Sequence, residues 1–211
     1  MRSIFSPAAP QGRASMQMIW LPGAYNQAKD FEQEGFARAV RQRRKPLDLQ
    51  FVDLEMRHLN DRDAFKCLQC EIIVPARASG ASIWLAGISL GGLAALDYAS
   101  SHLDEIDGIC LLAPYLGNRM LINEIAAAGL AAWEPGQLAE SDAERRIWRY
   151  IKTRIDSRPL FLGYGKDDRF ARAHDLLAGA LPASAVNVVG GGHDWRTWIS
   201  LWESFLDSHF A

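Results

Sequence analysis

The sequence predicts a three-layer, doubly wound α/β domain on a mainly parallel sheet. Short apolar runs of strand length alternate with longer segments of helical periodicity. The runs are apolar throughout, as strands covered on both faces must be. The 211 residues suffice for one such domain and a sizeable core. Right-handed crossovers between parallel strands then place helices on both faces of the sheet.

Six segments read as buried strands: Met18 to Leu21 (MIWL), Leu49 to Leu54 (LQFVDL), Ser82 to Gly87 (SIWLAG), Gly108 to Ala113 (GICLLA), Pro159 to Gly163 (PLFLG) and Ala185 to Val189 (AVNVV). Between them, Phe31 to Val40 puts Phe31, Phe36, Ala39 and Val40 near one helical face. Leu90 to His102 reads as a small-residue helix suited to close packing on a sheet. His174 to Leu181 and Trp195 to Leu206 also read as helices; in the latter, Trp195, Trp198, Ile199, Trp202, Phe205 and Leu206 recur at helical spacing. The longest gap between strands, residues 114–158, holds two helical stretches, Leu121 to Ala128 and Asp142 to Lys152. It is too short for a domain and predicts a small lid or pocket wall. Met1 to Ser15 is small, polar and Pro-containing, and predicts a mobile tail before a single domain spanning 16–211.

Composition narrows the function classes. The chain is 49% apolar and 23% charged, as expected of a globular protein in water. A net charge of −2 offers no general attraction to nucleic acid or anionic membranes. No apolar stretch reaches membrane-spanning length, and the N-terminus lacks the apolar centre of a secretory signal, so a cytoplasmic location is expected. Three cysteines cannot all pair. Cys67 and Cys70 form a C-x-x-C in the middle or end of a helical stretch. A redox pair favours a helix N-terminus, and a zinc site needs a second ligand pair, so both read as incidental thiols.

Ligands of doubly wound sheets bind beyond the carboxyl ends of the strands, so the residues after each strand matter most. The third run leads into GISLG, Gly87 to Gly91. A sharp strand-to-helix turn crowds the backbone and requires small neighbours, and it leaves Ser89 with its Oγ exposed. A serine is a weak nucleophile without a base, and the base needs an orienting acid. Of five histidines, His193 directly follows a strand, behind the flexible run Gly190 to Gly192. His58 follows the second strand, at the wrong place in the chain order. His102 ends the helix after Ser89, and His174 and His209 read as helical surface positions. Two adjacent aspartates, Asp167 and Asp168, follow the fifth run.

Together these segments resemble the α/β-hydrolase superfamily from about Met18 onward. GISLGG (Gly87 to Gly92) resembles its nucleophile elbow, GKDDRF (Gly165 to Phe170) its acid loop, GGHDW (Gly191 to Trp195) its histidine loop, and LPGAY (Leu21 to Tyr25) its first oxyanion loop. The resemblance implies Ser89 as nucleophile, Asp168 rather than Asp167 as acid and His193 as base. It implies oxyanion donors at the Leu90 and Ala24 N–H groups, with Tyr25 as the alternative to Ala24. The chain departs from the family in three ways: its first two strands are expected to be absent, the usual His-Gly is Pro22-Gly23, and the lid is small.

The implied chemistry is hydrolysis of carboxylic esters through an acyl-enzyme, with no metal or organic cofactor. A thioesterase or acyltransferase with the same residues is an alternative, as is a non-catalytic binding protein on the same scaffold. The partner is then a small acyl ester or thioester. Tyr25, Ile88, Tyr115, Trp133, Phe170 and Trp195 are the expected pocket wall. They are mostly apolar and suit an acyl or aryl group. For Trp195, core packing with Trp198 and Trp202 is the competing expectation.

Overall fold

The computed structural model describes residues 1–9, 13–54, 62–139 and 141–210. Its elements alternate along the chain. Strands β1 (Ser3–Ser6) and β2 (Met16–Leu21) come first, followed by helices α1 (Ala28–Gln33) and α2 (Phe36–Gln42), then β3 (Leu47–Val52). Next come α3 (Arg62–Cys67), a π-helical turn (Leu68–Ile73) and α4 (Val74–Ala78), leading to β4 (Ser82–Ile88) and α5 (Leu90–His102). Strand β5 (Gly108–Leu112) precedes the helical pair α6 (Arg119–Ala128) and α7 (Ala143–Arg154). The chain ends with β6 (Leu160–Gly165), α8 (Ala171–Ala178), β7 (Val186–Val189) and α9 (Trp195–His209).

The strands form one seven-stranded sheet in the order β1-β3-β2-β4-β5-β6-β7. Every neighbouring pair is parallel except β1 with β3. The sheet is thus the mainly parallel, helix-covered sheet that the apolar runs predict. Its central strands are buried on both faces; Met18, Ile19, Trp20, Leu21, Leu85, Ala86 and Ile88 have no exposed surface.

The N-terminus departs from expectation. Ser3–Ser6 is a paired strand, in register Ser3 with Val52 and Ser6 with Leu49, where a mobile tail is predicted. The segment after it is anchored by buried Asp48, whose carboxylate accepts from the Ala8 N–H at 2.8 Å and the Ala14 N–H at 3.1 Å. Four residues with Phe5 left partly exposed make too short a pattern to detect, and the adjacent Pro7 masks it. The expected loss of both early strands is therefore corrected, since one precedes β2.

The predicted helix over Phe31 to Val40 is two helices. Gly35, at φ 95°, breaks it in the left-handed region that glycine tolerates. The break lets Phe31 and Phe36 both turn inward onto Trp20, with ring centroids 5.6 and 5.0 Å away. From the opposite end of the chain Trp202 packs on the same ring at 5.2 Å, so α9 closes this layer. The edge-to-face contacts of Phe36 and Trp202 on Trp20 add to the burial of large apolar area.

Helix α7 is tied to α5 by an ion pair between buried Asp97 and partly exposed Arg146. Asp97, 3% exposed, receives Arg146 Nε at 2.5 Å and Nη2 at 2.9 Å. This fork anchors the 114–158 segment directly behind the helix that starts at Leu90. Cys67 closes α3 and Cys70 lies in the π-helical turn; both are free thiols. Among the described residues no helix is long and apolar enough to cross a membrane.

Removing one partner of a buried pair strands the other charge. Arg146→Ala, which leaves the buried Asp97 carboxylate without that partner, is expected to lower the unfolding free energy by about 3 kcal/mol, read as a shifted midpoint in chemical denaturation with an unchanged slope. An unshifted midpoint would mean that α7 is held by its apolar face alone.

Candidate active site

Strand β4 leads straight into α5 with one residue between them, and that residue is Ser89. It sits at φ 48°, ψ −116°, outside the ordinary regions for a residue with a Cβ, a strain of about 1–3 kcal/mol. Three glycines make the turn possible. A Cβ on Gly87 would stand 2.2 Å from the Gly91 carbonyl, one on Gly91 2.1 Å from the Leu21 carbonyl oxygen, and one on Gly92 2.5 Å from Pro114 Cβ. The start of α5 is thus pressed against the loops after β2 and β5. The Ser89 backbone is held on both sides: its N–H donates to the Leu112 carbonyl at 3.1 Å, and its carbonyl accepts from the Tyr115 N–H at 2.7 Å. The side chain is the part left to project.

Ser89 Oγ lies 2.8 Å from His193 Nε2. His193 Nδ1 lies 2.7 Å from Asp168 Oδ2. A carboxylate only accepts, so the ring proton sits on Nδ1, and the Nε2 lone pair receives the Ser89 hydroxyl. The imidazole is clamped edge-on between Phe170 at 5.0 Å and Trp198 at 5.1 Å. The glycine run before it serves close approach. Gly191 adopts φ 126°, and a Cβ on Gly165 would fall 2.2 Å from the Gly191 carbonyl oxygen.

Asp168 is buried, 5% exposed, and its Oδ1 accepts from the Phe170 N–H at 2.8 Å. Burial works to raise its carboxyl. The hydrogen bonds from His193 and the Phe170 N–H, aided by the nearby His193 and His174 rings, outweigh that and hold it below its ordinary value. Asp167 is exposed and faces the other way. Its N–H donates to the Gly191 carbonyl at 3.0 Å and its Oδ2 accepts from the Gly191 N–H at 3.4 Å, stitching the two loops together. Of the two aspartates, only Asp168 is hydrogen-bonded to the imidazole.

Leu90 is the first residue of α5, so its N–H has no carbonyl one turn back and points out of a helix N-terminus. Gly23 brings the β2 loop against Ser89, where its Cβ would stand 3.3 Å from Ser89 Cβ. Ala24 follows it inside a turn closed by the Asn26 N–H on the Gly23 carbonyl at 3.1 Å. Tyr25 then takes φ 65°.

The expected pocket wall divides. Tyr115 and Phe170 are brought together at 5.4 Å, and Phe170 meets His193. The Tyr115 hydroxyl donates to Glu144 of α7 at 2.9 Å, and burial with that carboxylate raises it so that it keeps its proton. Ile88 is buried in the sheet immediately before Ser89. Three others are placed elsewhere. The Tyr25 side chain is 95% exposed and stands out in solvent, because the left-handed backbone turns it away. Trp133 is buried within the 114–158 segment, where its Nε1–H donates to Glu124 at 2.8 Å and its ring faces Arg145. Trp195 packs on Phe31, Phe36 and Trp198, so the competing expectation of core packing describes it.

The remaining histidines also divide. His174, expected on the surface, is fully buried, with Nε2 2.9 Å from the Pro114 carbonyl oxygen. The short apolar pattern of α8 hides that its His174 face turns inward beside Leu177. His102 caps the far end of α5, and His209 is exposed on α9 while stacking on Phe205 at 4.9 Å. His58 lies outside the described residues. Sequence reasoning missed the contact of Trp198 with His193; its helical spacing signals a core stripe and nothing more. Among the described residues no cluster of three or more His, Cys, Asp and Glu side chains is arranged to hold a metal ion.

Neither a protein-family model nor a curated protein sequence matches the chain. Solved structures do. FphF, a fluorophosphonate-binding serine hydrolase of Staphylococcus aureus, superposes with a TM-score of 0.67 at 13% identity, over 93% of this chain and 84% of that one. Est1E from Butyrivibrio proteoclasticus gives 0.64 at 16% identity, over 99% and 94%. An S-formylglutathione hydrolase from Agrobacterium tumefaciens gives 0.64 at 12% identity, over 93% and 84%. With the strand order, the serine turn and the loop placement above, these likenesses give the chain the α/β-hydrolase fold.

Proposed function

We propose that the chain is a serine hydrolase that cleaves carboxylic esters through an acyl-enzyme intermediate. The observation that carries this reading is the unbroken hydrogen-bond chain from Ser89 Oγ through His193 to Asp168, starting on a serine held at positive φ. A serine needed only for packing has no use for either feature.

The steps follow from the geometry. Ser89 Oγ attacks the acyl carbonyl carbon while its proton passes to His193 Nε2. Asp168 holds the ring in the tautomer that can accept it and stabilises the imidazolium formed. The carbonyl oxygen becomes an oxyanion, received by the Leu90 and Ala24 N–H groups, each worth on the order of 3 kcal/mol of barrier. The carbon–oxygen bond to the leaving group breaks as Nε2–H protonates the departing alkoxide. Water then loses a proton to Nε2, attacks the acyl carbon and releases the acid, returning the proton to Ser89. Tyr115 and Phe170, with the 114–158 segment behind Tyr115, form the wall against which an acyl or aryl group packs.

Thioesters are the second reading. The same residues serve a thiolate leaving group, and one fold neighbour is an S-formylglutathione hydrolase. A matched panel of esters and thioesters with one acyl group separates the two by kcat/KM.

A fluorophosphonate probe is expected to add once to the native protein, read by intact mass, and not at all to Ser89→Ala. An adduct that persists in Ser89→Ala overturns the assignment. Asp168→Asn is expected to cut kcat on a chromogenic ester by about 10⁴-fold, since the wrong tautomer results. Asp167→Asn, which touches only Gly191, is expected to cost less than about tenfold; equal losses would move the acid to Asp167.

The lowered Asp168 carboxyl also sets a pH dependence. The unfolded chain protonates this group near the ordinary value of about 3.9, and the folded chain protonates it only below that. The carboxylate's contribution to stability is therefore complete above that value and is lost as pH falls through the lowered folded value. Denaturation curves between about pH 5 and pH 2 should fall more steeply for the native protein than for Asp168→Asn. Parallel falls would mean that the carboxyl is unshifted by folding.

A further inference from the structure

His174 takes no part in those steps, yet it occupies a fully buried position on α8. Its Nδ1 has no hydrogen-bond partner among the described residues and is shut off from solvent. Burying an unpaired ring nitrogen carries a desolvation cost that a leucine of similar size would avoid. What the histidine supplies is the other nitrogen. Nε2–H donates to the Pro114 carbonyl at 2.9 Å.

The peptide that accepts this bond is tied to the nucleophile. Its carbonyl belongs to Pro114 and its N–H to Tyr115, and that N–H donates to the Ser89 carbonyl at 2.7 Å. At the other end, the His174 N–H donates to the Phe170 carbonyl at 3.2 Å, and the Phe170 N–H donates to Asp168 Oδ1 at 2.8 Å. A second route thus runs from Asp168 to Ser89 without passing through His193. Its last two bonds share the rigid plane of the Pro114–Tyr115 peptide, and hydrogen bonds in series across one peptide reinforce one another.

We propose that His174 is a positioning residue: through the Pro114–Tyr115 peptide it fixes the spacing between the Ser89 turn and the Asp168 loop, so that His193 meets both. The proposal rests on the hydrolase reading. Neutral imidazole suits the task, since it needs one N–H and no charge, and burial disfavours the charged form. Among the described residues, the charged and titratable groups around it are Asp168, His193, Tyr164, whose ring lies 5.0 Å away and which keeps its proton, and, on its own helix, Asp175, which accepts from the Tyr164 hydroxyl at 2.7 Å.

Two amides of different reach test this. The glutamine amide nitrogen lies as far from the backbone as His Nε2, whereas that of asparagine matches Nδ1. His174→Gln is expected to stay within about threefold of the native kcat, and His174→Asn to lose about tenfold or more, with KM changed by less than about twofold in both. Equal losses in the two variants, or a loss confined to KM, would overturn the positioning role. Thermal midpoints accompany the kinetics. If His174→Asn does not fold, His174→Met replaces it, filling the space without a donor, and the same comparison with His174→Gln decides. Fluorophosphonate labelling of the native protein keeps the two readings apart. A native protein that takes no adduct and turns over no ester removes the hydrolase reading, whereas a labelled, active native protein with Gln and Asn equally impaired removes only the role of His174.

Discussion

Backbone approaching backbone, with no Cβ between, is the constraint on which the rest depends. At Gly87, Gly91 and Gly165 an added carbon would fall within 2.2 Å of a main-chain atom. These contacts pull the start of α5 onto β4 and the loops after β2 and β5, and pull the histidine loop onto the end of β6. No side-chain rearrangement could reproduce them, because the obstructing atoms are main chain. The positive φ of Ser89 follows from this geometry: a chain that must turn from strand to helix within one residue has few conformations left. The strain is tolerated because the Leu112 and Tyr115 peptides hold that residue from both sides.

The layers on either side of the sheet convert that constraint into a rigid site. On one side, Trp20 gathers Phe31, Phe36 and Trp202, joining the first third of the chain to the last helix. Because Trp198 lies one turn before Trp202 on α9, the helix that completes this core also supplies one wall of the His193 clamp. On the other side, the Asp97–Arg146 fork fixes α7, and Glu144, two residues before Arg146, holds the Tyr115 hydroxyl. Core packing and site geometry therefore share helices, and a change that loosens α9 or α7 reaches the site through one contact.

The parallel sheet was legible because fully buried strands are written as uninterrupted apolar runs, and the serine turn because its glycines are a steric necessity at fixed spacing. Ser89, Asp168 and His193 could be placed near one another from strand order alone. The misplaced features had other causes. Ser3–Ser6 is a short edge strand stabilised by Asp48 from a distant element, which no local pattern reveals. Gly35 interrupts a run whose periodicity otherwise continues. The pocket aromatics failed where type was read as location: Trp133, Trp195 and Tyr25 have suitable side chains, but their directions are set by Glu124, by the Phe31–Phe36 pair and by a left-handed φ.

His174 shows why a residue can be mistaken in both place and purpose. Two imidazoles lie near one buried carboxylate, and only one of them has the partners that the proposed proton transfer needs. His193 donates Nδ1–H to Asp168, so the charge arriving at Nε2 is balanced across a 2.7 Å bond. His174 makes no such bond; its one donor is spent on Pro114, and burial opposes any charge on its ring. The division of labour comes from which nitrogen each ring turns to which partner, not from residue type. In the proposed reaction a proton drawn from Ser89 is thereby directed to His193, while the proposed positioning role asks of His174 only that it stay neutral and keep its bond to Pro114.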